Sequence, residues 1–369
     1  MDSWKNSLLR RLVSWRRPLL NSQGEIRRIL VVSTTAIGDT LWATPALANL
    51  RIHFPKAMIA ALTSPTGGQI LKFNPHIDRI ILLKEPVLPR IFYLLKTLRG
   101  EKFDAALILH ASQRLILPIC SWSRIPRIIG TQGINKGLDD LLTDPIAPRF
   151  EHEIERRQKI LGCLNIPSTV STLSYYVQPS EQDAALQFIQ GNSKQRADSA
   201  FKPRIAIHPG SKEPFRRWPA SCFAAAASIL EEKYGCEIFL TGSPSEKKLL
   251  QKIQRLVPRA RIVSSSSIRF LGAIMEQMDL VLSNDTGPFH LACALNRPTI
   301  GLYVSTDPRL CGPHLAPHAL VISRQPTCEP CLRRRCRDSF CFLQISTEEV
   351  IDACAKFLLK GQKCVSQKS

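Results

Sequence analysis

Short apolar runs alternate with longer amphipathic stretches along this chain, and the order occurs twice. The runs are rich in isoleucine, leucine and valine and have no polar face, which is typical of strands buried on both sides. Those of the first half lie at 28–33, 58–62, 79–83 and 104–109. Those of the second half lie at 204–208, 237–241, 261–263, 279–282 and 299–303. The stretches predicted as helices include 91–98, 219–234, 245–256, 270–278 and 287–295.

Strands and helices in alternation predict an α/β fold with parallel sheets that helices cover on both faces. Because the order restarts, we expect two doubly wound, Rossmann-like domains, at 28–190 and 200–345. The polar stretch 191–199 has no apolar period and is predicted to link them. A basic segment at 1–27 precedes the domains, and a helix with a tail at 346–369 follows them. Two such domains facing each other direct the carboxyl ends of their strands, where open sheets bind ligands, toward a shared central cleft.

The chain carries a strong positive charge, with 50 lysine and arginine residues against 30 acidic ones and a formal net charge of +20 at pH 7. Such a balance predicts an acidic partner: nucleic acid, an anionic membrane or a phosphorylated substrate. None of the apolar runs approaches the ~20 residues that span a bilayer. The start of the chain is basic throughout and lacks the apolar block of a secretory signal, so a cytoplasmic location is expected.

The first twenty residues form a separate pattern. On a helix, one side would carry Trp4, Leu8, Leu12, Trp15 and Leu19, with arginines elsewhere. A basic segment with tryptophan and leucine suits an anionic membrane surface. A frayed leader, or a helix docked on the first domain, fits the same residues, and the sequence leaves this choice open.

The most informative turn follows the strand at 279–282. It contains Asp285, Thr286, Gly287 and Pro288 and opens a helix, with His290 one turn inside. Such a turn aims unpaired backbone N–H groups and the positive end of a helix at one point, which attracts a phosphate or a diphosphate. Plain helix starts use the same residue types, so the turn alone does not decide between the two roles.

A basic loop follows the first strand of the second half. Gly210 and Ser211 can supply N–H and hydroxyl donors to phosphate oxygens. The charge comes from Lys212, Arg216 and Arg217, and arginine can bind phosphate through two hydrogen bonds. Because this loop and the turn before His290 leave the same edge of one sheet, we expect them to converge on one anion.

Two carboxylates also follow predicted strands. Glu246 suits the diol of a ribose, as acidic residues do in other nucleotide-binding folds, or it caps its own turn. Asp39 follows the first strand, where a carboxylate can accept a proton from a hydroxyl nucleophile or can cap a helix. The residues by themselves leave both alternatives open in each case.

Four of the 12 cysteines are clustered with the spacing C-x2-C-x4-C-x4-C, namely Cys328, Cys331, Cys336 and Cys341. Four thiolates this close can surround one tetrahedral zinc ion. An iron–sulfur cluster or a disulfide pair fits the same residues. A metal here would be structural, because no neighbouring histidine indicates an open, catalytic coordination position.

Taken together, these segments resemble glycosyltransferase family 9, the heptosyltransferases of lipopolysaccharide core assembly. The likeness runs from about residue 28 to 350. The residues that carry it are Gly38-Asp39-Thr40, Thr44-Pro45-Ala46-Leu47, His208-Pro209-Gly210-Ser211, Arg217-Trp218-Pro219, Asp285-Thr286-Gly287-Pro288 with His290, Thr306-Asp307-Pro308 and Cys328-Glu329-Pro330-Cys331. Each motif is short, and their order along the chain makes the resemblance specific.

The resemblance implies a GT-B fold and an inverting sugar transfer that needs no catalytic metal or other cofactor. The implied donor is a nucleotide diphosphate sugar, typically ADP-L-glycero-D-manno-heptose, and the implied acceptor is an anionic glycolipid at the inner-membrane surface. Asp39 matches the family's general base. Arg216 falls where many members have a lysine that contacts the diphosphate, and this difference keeps the charge but changes the geometry. The residues assigned to donor binding are Gly210, Ser211, Lys212, Arg217, Glu246, Asp285, Thr286, Gly287, Pro288 and His290.

Three other functions fit parts of the pattern. A sugar-nucleotide 2-epimerase has the same architecture but releases a free product, so consumption of donor that depends on an acceptor separates the two. A degenerate transferase that serves as a scaffold would bind donor without turnover. A basic nucleic-acid-binding protein suits the charge, but no aromatic residues interleave with basic ones on a strand, so no nucleic-acid partner is expected. The oligomeric state is not indicated.

Overall fold

The computed structural model describes residues 25–111, 113–191, 202–328, 331, 336 and 340–366. The chain divides into two compact units, Met1–Ser174 and Tyr175–Ser369. The amphipathic pattern of the first twenty residues and the predicted linker beyond Gly191 lie outside the described residues. Among the described helices, none combines the length and the apolar character needed to cross a membrane.

The first unit is a six-stranded parallel sheet with helices between its strands. Its strands are β1 (Arg28–Ser33), β2 (Met58–Thr63), β3 (Arg79–Leu82), β4 (Ala105–His110), β5 (Arg127–Thr131) and β6 (Asp144–Ile146). Its helices are α1 (Ile37–Leu41), α2 (Thr44–His53), α3 (Pro65–Leu71), α4 (Ile91–Glu101), α5 (Ile116–Trp122) and α6 (Glu153–Gly162). Short 3-10 turns occur at Leu88–Arg90 and Asp139–Leu141.

The second unit is also built on a six-stranded parallel sheet. Its strands are β7 (Arg204–His208), β8 (Glu237–Gly242), β9 (Arg261–Ser264), β10 (Leu280–Asn284), β11 (Thr299–Tyr303) and β12 (Ala319–Ser323). Its helices are α7 (Pro179–Gln190), α8 (Ala220–Tyr234), α9 (Lys247–Gln254), α10 (Ile268–Glu276), α11 (Gly287–Ala294), α12 (Pro308–Cys311) and α13 (Thr347–Ser366). Its 3-10 turns are Pro214–Arg216, Pro244–Glu246 and Phe340–Gln344.

Both sheets have the same strand order. It is β3-β2-β1-β4-β5-β6 in the first unit and β9-β8-β7-β10-β11-β12 in the second. The order reverses between β1 and β4 and between β7 and β10, so the connections on either side of each pair run to opposite faces of the sheet. In doubly wound folds, ligands bind at the carboxyl end of such a switch point. The predicted α/β, doubly wound, Rossmann-like class is confirmed.

Alternate residues of the central strands supply both halves of the core. In β1, Ile29 and Val31 pack with Leu47 of α2 on one face, while Leu30 and Val32 pack with Leu94 of α4 on the other. All of these side chains are buried. This burial explains why β1 has no polar face, and it fixes α2 and α4 on opposite sides of the sheet.

The division between the units falls before α7, whereas the sequence placed this helix at the end of the first domain. Phe188 of α7 makes an edge-on contact with Phe270 of α10, with 5.7 Å between ring centroids. Arg269 of α10 donates a hydrogen bond to Glu181 of α7. The helical pattern at 179–190 does not say which sheet the helix covers, and these contacts assign it to the second.

Candidate active site

In the first unit, Asp39 lies in the loop region that follows β1. The strand ends at Ser33, and α1 begins after its N-cap residue Ala36, so Asp39 stands in the first helical turn and does not cap the helix. Its Oδ1 is 3.9 Å from Nε2 of His110, the last residue of β4. The carboxylate is therefore at the switch point between β1 and β4.

Two polar side chains orient this carboxylate. Thr35 Oγ1 donates to Asp39 Oδ2 at 2.7 Å and lies 2.9 Å from His110 Nδ1. Because the one hydroxyl proton goes to the carboxylate, His110 donates its Nδ1 proton to the threonine oxygen. Burial lowers the pKa of His110, although the charge on Asp39 opposes this. The ring is thus favoured in its neutral form.

A fully buried guanidinium stands behind Asp39. Arg157 of α6 has no exposed side-chain surface, and its Nη2 lies 3.4 Å from Asp39 Oδ1. Its guanidinium carbon lies 5.4 Å from the centre of the Trp42 ring, a cation–π contact. A buried cation is stable only when it is paired, so Arg157 holds a negative charge at Asp39.

Glu153 completes this charge network. Its carboxylate pairs with both Arg157 and Arg156, and the Arg156 contact is 2.6 Å. Burial raises the pKa of Glu153, but the two arginines outweigh it and bring the value to about 2. Two arginines therefore face the two carboxylates of Glu153 and Asp39, so the positive and negative charges of this network are equal in number.

In the second unit, Asn284 joins the two loops that were expected to converge. It is the last residue of β10 and is fully buried. Its Nδ2 donates to the carbonyl oxygen of Pro209 at 2.9 Å, and its Oδ1 accepts the backbone N–H of Trp218 at 2.9 Å. One amide thus ties the basic loop after β7 to the turn after β10.

Arg216 and Asp285 form an ion pair at this junction. Arg216 Nη1 lies 3.3 Å from Asp285 Oδ2, and Thr306 donates a hydrogen bond to the same carboxylate. Burial raises the pKa of Asp285, while Thr306 and Arg216 act against this rise. Arg216 Nε is buried and has no hydrogen-bond acceptor among the residues that the structure describes. An anion at this point would satisfy it.

The turn after β10 opens α11 as the sequence predicted. Thr286 is the N-cap residue, Pro288 is in the first turn, and none of the described side chains caps the helix. The first N–H groups of a helix have no partner within it, so those near Gly287 are available to an anion. His290 is only 2% exposed and packs edge-on against Phe289, so it supports the turn from behind.

The residues assigned to the basic loop differ in their roles. Ser211 is buried, and its carbonyl oxygen accepts from Nε of Arg217 at 2.9 Å. The Arg217 guanidinium therefore braces the loop. Lys212 is exposed, in a position to meet a ligand from solvent.

Glu246 closes against the same loop. Its Oε2 accepts the backbone N–H of Ser243 at 2.9 Å and the hydroxyl at 2.8 Å, which is the capping alternative. A Cβ on Gly210 would lie 2.0 Å from Glu246 Oε1, so a side chain at position 210 would displace this carboxylate. Burial raises the pKa of Glu246, but the hydrogen bonds from Ser243 outweigh it and lower the pKa.

Within the part of the chain that the structure describes, none of the clustered cysteines is joined in a disulfide bond. Cys341 is buried, and its sulfur lies 3.2 Å from Thr327 Oγ1. Among the described residues, no three histidine, cysteine or acidic side chains come together as a metal site. Because the segments between these cysteines include residues outside that set, the metal site stays a prediction.

Two doubly wound units of this kind make up the GT-B fold class of glycosyltransferases. A model of glycosyltransferase family 9 (heptosyltransferase) matches residues 91–340. This is more than half of the 369 residues. The chain belongs to this family, and the predicted enzyme class is confirmed.

Known proteins support this assignment. The lipopolysaccharide core heptosyltransferase OpsX of Haemophilus influenzae is 22% identical over 297 residues, which covers 78% of this chain and 82% of OpsX. The structure of a family 9 glycosyltransferase from Veillonella parvula has a TM-score of 0.76 at 22% identity and covers 93% of this chain and 100% of its own. The E. coli ADP-heptose lps heptosyltransferase II has a TM-score of 0.73 at 21% identity, with 91% and 99% coverage.

We expect Arg157→Met to reduce the free energy of unfolding by about 3 kcal/mol at pH 7, because it removes the buried cation that pairs with the partly buried carboxylates of Asp39 and Glu153. The pKa of Glu153, about 2 against its ordinary 4.5, should rise. A depressed pKa contributes stability that is present above pH 4.5 and is lost toward pH 2, so the difference from wild type should narrow at pH 3. Urea titrations at both pH values measure this.

Arg324→Met is the matched control, because the Arg324–Glu349 pair is more than one-third exposed on both sides. It should change the free energy of unfolding by less than about 1 kcal/mol. Equal effects of the two substitutions at pH 7 would contradict a buried charge network.

We expect Asn284→Ala to lower the free energy of unfolding by about 2–3 kcal/mol, since it leaves the Trp218 N–H and the Pro209 carbonyl buried without partners. The control is Ser228→Ala, which removes an exposed hydrogen bond of 2.8 Å to Glu232. That change should stay within about 0.5 kcal/mol of wild type. Urea unfolding measures both, and an Asn284→Ala protein as stable as the control would show that the two loops hold without this amide.

Proposed function

We propose that this protein is an inverting, metal-independent heptosyltransferase. Its donor is ADP-L-glycero-D-manno-heptose, and its acceptor is a lipopolysaccharide core or a related glycolipid at the cytoplasmic face of the inner membrane. Family membership supports heptosyl transfer. The names of OpsX and of the ADP-heptose lps heptosyltransferase II support the acceptor and the donor.

The observation that carries the proposal is the state of Asp39. Its side chain is 20% exposed while the cation behind it is fully buried, so an ionised carboxylate is presented to a substrate. Thr35 fixes the second oxygen at 2.7 Å. A charged, oriented and reachable carboxylate is what a general base requires.

The proposed step is a single displacement. Asp39 takes the proton of an acceptor hydroxyl as that oxygen forms a bond to the anomeric carbon of heptose. The bond between this carbon and the diphosphate oxygen breaks, and ADP leaves with the electron pair. Attack on the face opposite the leaving group inverts the anomeric configuration.

The departing diphosphate needs positive charge and N–H donors. Arg216, with its unsatisfied buried Nε, supplies the charge. The N-terminal end of α11 at Thr286 and Gly287, with Ser211 of the basic loop, supplies donors. Lys212 approaches the diphosphate from solvent, and Glu246 meets the ribose through Oε1. Because arginine takes the role that a bound cation has in other transferases, chelators should leave turnover intact.

We expect Asp39→Asn to lower kcat at least about 10³-fold, because the amide cannot accept the proton. Affinity for ADP should be retained, since Asp39 belongs to the other unit from the donor loops. Mass spectrometry of a purified core glycolipid measures transfer, and calorimetry measures ADP binding. Asp183→Asn, an exposed carboxylate of α7, is the control and should be as active as wild type. Near-normal turnover of Asp39→Asn would remove Asp39 as the base.

We expect Arg216→Ala to lower kcat about 10²–10³-fold, with a smaller change in KM, because the charge acts mainly on the leaving group. Arg216→Lys keeps the charge and should recover part of the loss. Arg259→Ala, an exposed arginine before the amino end of β9, is the control.

A panel of ADP-, UDP- and GDP-sugars in the same assay tests the identity of the donor. Donor consumption without any acceptor would instead favour an epimerase.

A further inference from the structure

The first turn of α4 and the segment before it expose large apolar side chains. Phe92 is 82% exposed, Leu88 67% and Tyr93 66%. The segment is not loosely attached, because Leu83 and Val87 are buried in the core on either side of the 83–87 stretch. The exposure is therefore a property of a fixed surface.

Helix α4 already has a complete buried face without these residues. Leu94 and Leu98, one turn apart, are buried, and Ile91 and Leu95 pack against the same core. The side chain of Phe92 therefore lies on the face of the helix directed away from the core, where a helix of a globular protein ordinarily carries polar residues. Contiguous exposed apolar surface of this kind marks an interaction site.

The surroundings of this surface are cationic. No acidic residue occurs from Pro86 to Gly100, while Arg90, Lys96 and Arg99 do. Arg90 donates to the backbone carbonyl of Pro86 at 3.3 Å, and Arg99 donates to that of Trp122, so these hydrogen bonds are to neutral carbonyl oxygens. Glu85 and Glu101 flank this stretch, and Glu101 pairs with Arg28 and Arg79. The cations Lys84, Arg90, Lys96 and Arg99 outnumber the remaining carboxylate of Glu85, so the surface has a net positive charge.

A groove of about 440 Å³ lies between β3 and α4, beside these apolar residues. Among the residues lining it are Lys84, Arg90 and Tyr93, together with Arg79, which pairs with Glu101. Cations around a groove next to protruding aromatic and leucine side chains match the two layers of an anionic bilayer surface: charged headgroups outside and acyl chains beneath.

The same surface is connected to the catalytic carboxylate. The side chain of Gln113 accepts a hydrogen bond from Thr34 Oγ1 at 2.6 Å and donates one to Glu85 Oε1 at 2.8 Å. Thr34 precedes Thr35, which holds Asp39, and Glu85 lies three residues before Leu88. Both regions follow the carboxyl ends of parallel strands, β1 and β3. A surface at this edge keeps the base near a membrane-bound substrate.

We propose that Leu88, Phe92 and Tyr93, with Lys84, Arg90 and Lys96, form a docking surface for an anionic lipid bilayer. The apolar side chains enter the boundary of the acyl chains, and the cations contact the headgroup phosphates. The use of this surface, to reach a lipid-linked acceptor, rests on the proposed function, but the binding itself does not.

The test is co-flotation of the full chain with vesicles of phosphatidylglycerol and phosphatidylethanolamine, compared with phosphatidylcholine alone. Wild type should prefer the anionic vesicles. The double variant Leu88→Ser, Phe92→Ser should bind them about tenfold more weakly, since it removes the inserted apolar area. Lys96→Glu should bind the anionic vesicles at least about fivefold more weakly than wild type at low salt, and the difference should be smaller at high salt.

The control double variant is Leu256→Ser, Leu343→Ser, which removes two leucines with 60% and 62% exposure from the second unit. It should bind vesicles like wild type. Urea unfolding checks that each variant is folded. The basic N-terminal segment is present in all of them and contributes equally.

If the double variant Leu88→Ser, Phe92→Ser binds vesicles as well as wild type, the proposal is wrong. The basic N-terminal segment or another surface would then be responsible for membrane binding. A variant that loses self-association by light scattering, but not vesicle binding, would assign the surface to a second copy and also overturn it. Vesicle binding that needs Phe92, in a protein that transfers no sugar to any acceptor, would uphold the docking surface and reject the proposed function.

Discussion

The reversal of strand order within each sheet decides where both candidate sites lie. Where neighbouring parallel strands send their connections to opposite faces, the two loops separate and leave backbone donors and side chains open at the carboxyl edge. His110 and Asp39 meet at the reversal in the first unit, and Asn284 joins two loops at the reversal in the second. Along the rest of their length, the central strands are covered by packed side chains on both faces of the sheet.

The sequence predicted the parts of this arrangement that depend on local pattern. The central strands β1, β7, β10 and β11 are continuous apolar runs, and the structure has them close to the predicted bounds. The prediction omitted β5, β6 and β12, which lie toward the sheet edges. Strand β6 is three residues long and contains Pro145, so period and propensity give little signal there.

The site was less accessible to sequence reasoning because it depends on distant contacts. Arg157 is 118 positions from Asp39, and its sequence, between charged residues on a helix, is typical of a solvated face. It is buried because α6 packs on the same face of the sheet as α2, through Ile160 and Leu161. The roles of Thr35, His110 and Asn284 likewise follow from the sheet order, which the sequence did not establish.

Each candidate site contains an ion pair with a buried and a more exposed partner. The two units differ in which charge is buried. In the first unit the cation Arg157 is 0% exposed and Asp39 20%. In the second the carboxylate of Asp285 is 7% exposed and the cation Arg216 35%. In each unit the ion pair connects the more exposed charge to a buried partner, which restricts the position of its side chain. The proposed reaction assigns the proton acceptor to the pair in the first unit and the positive charge for the leaving group to the pair in the second.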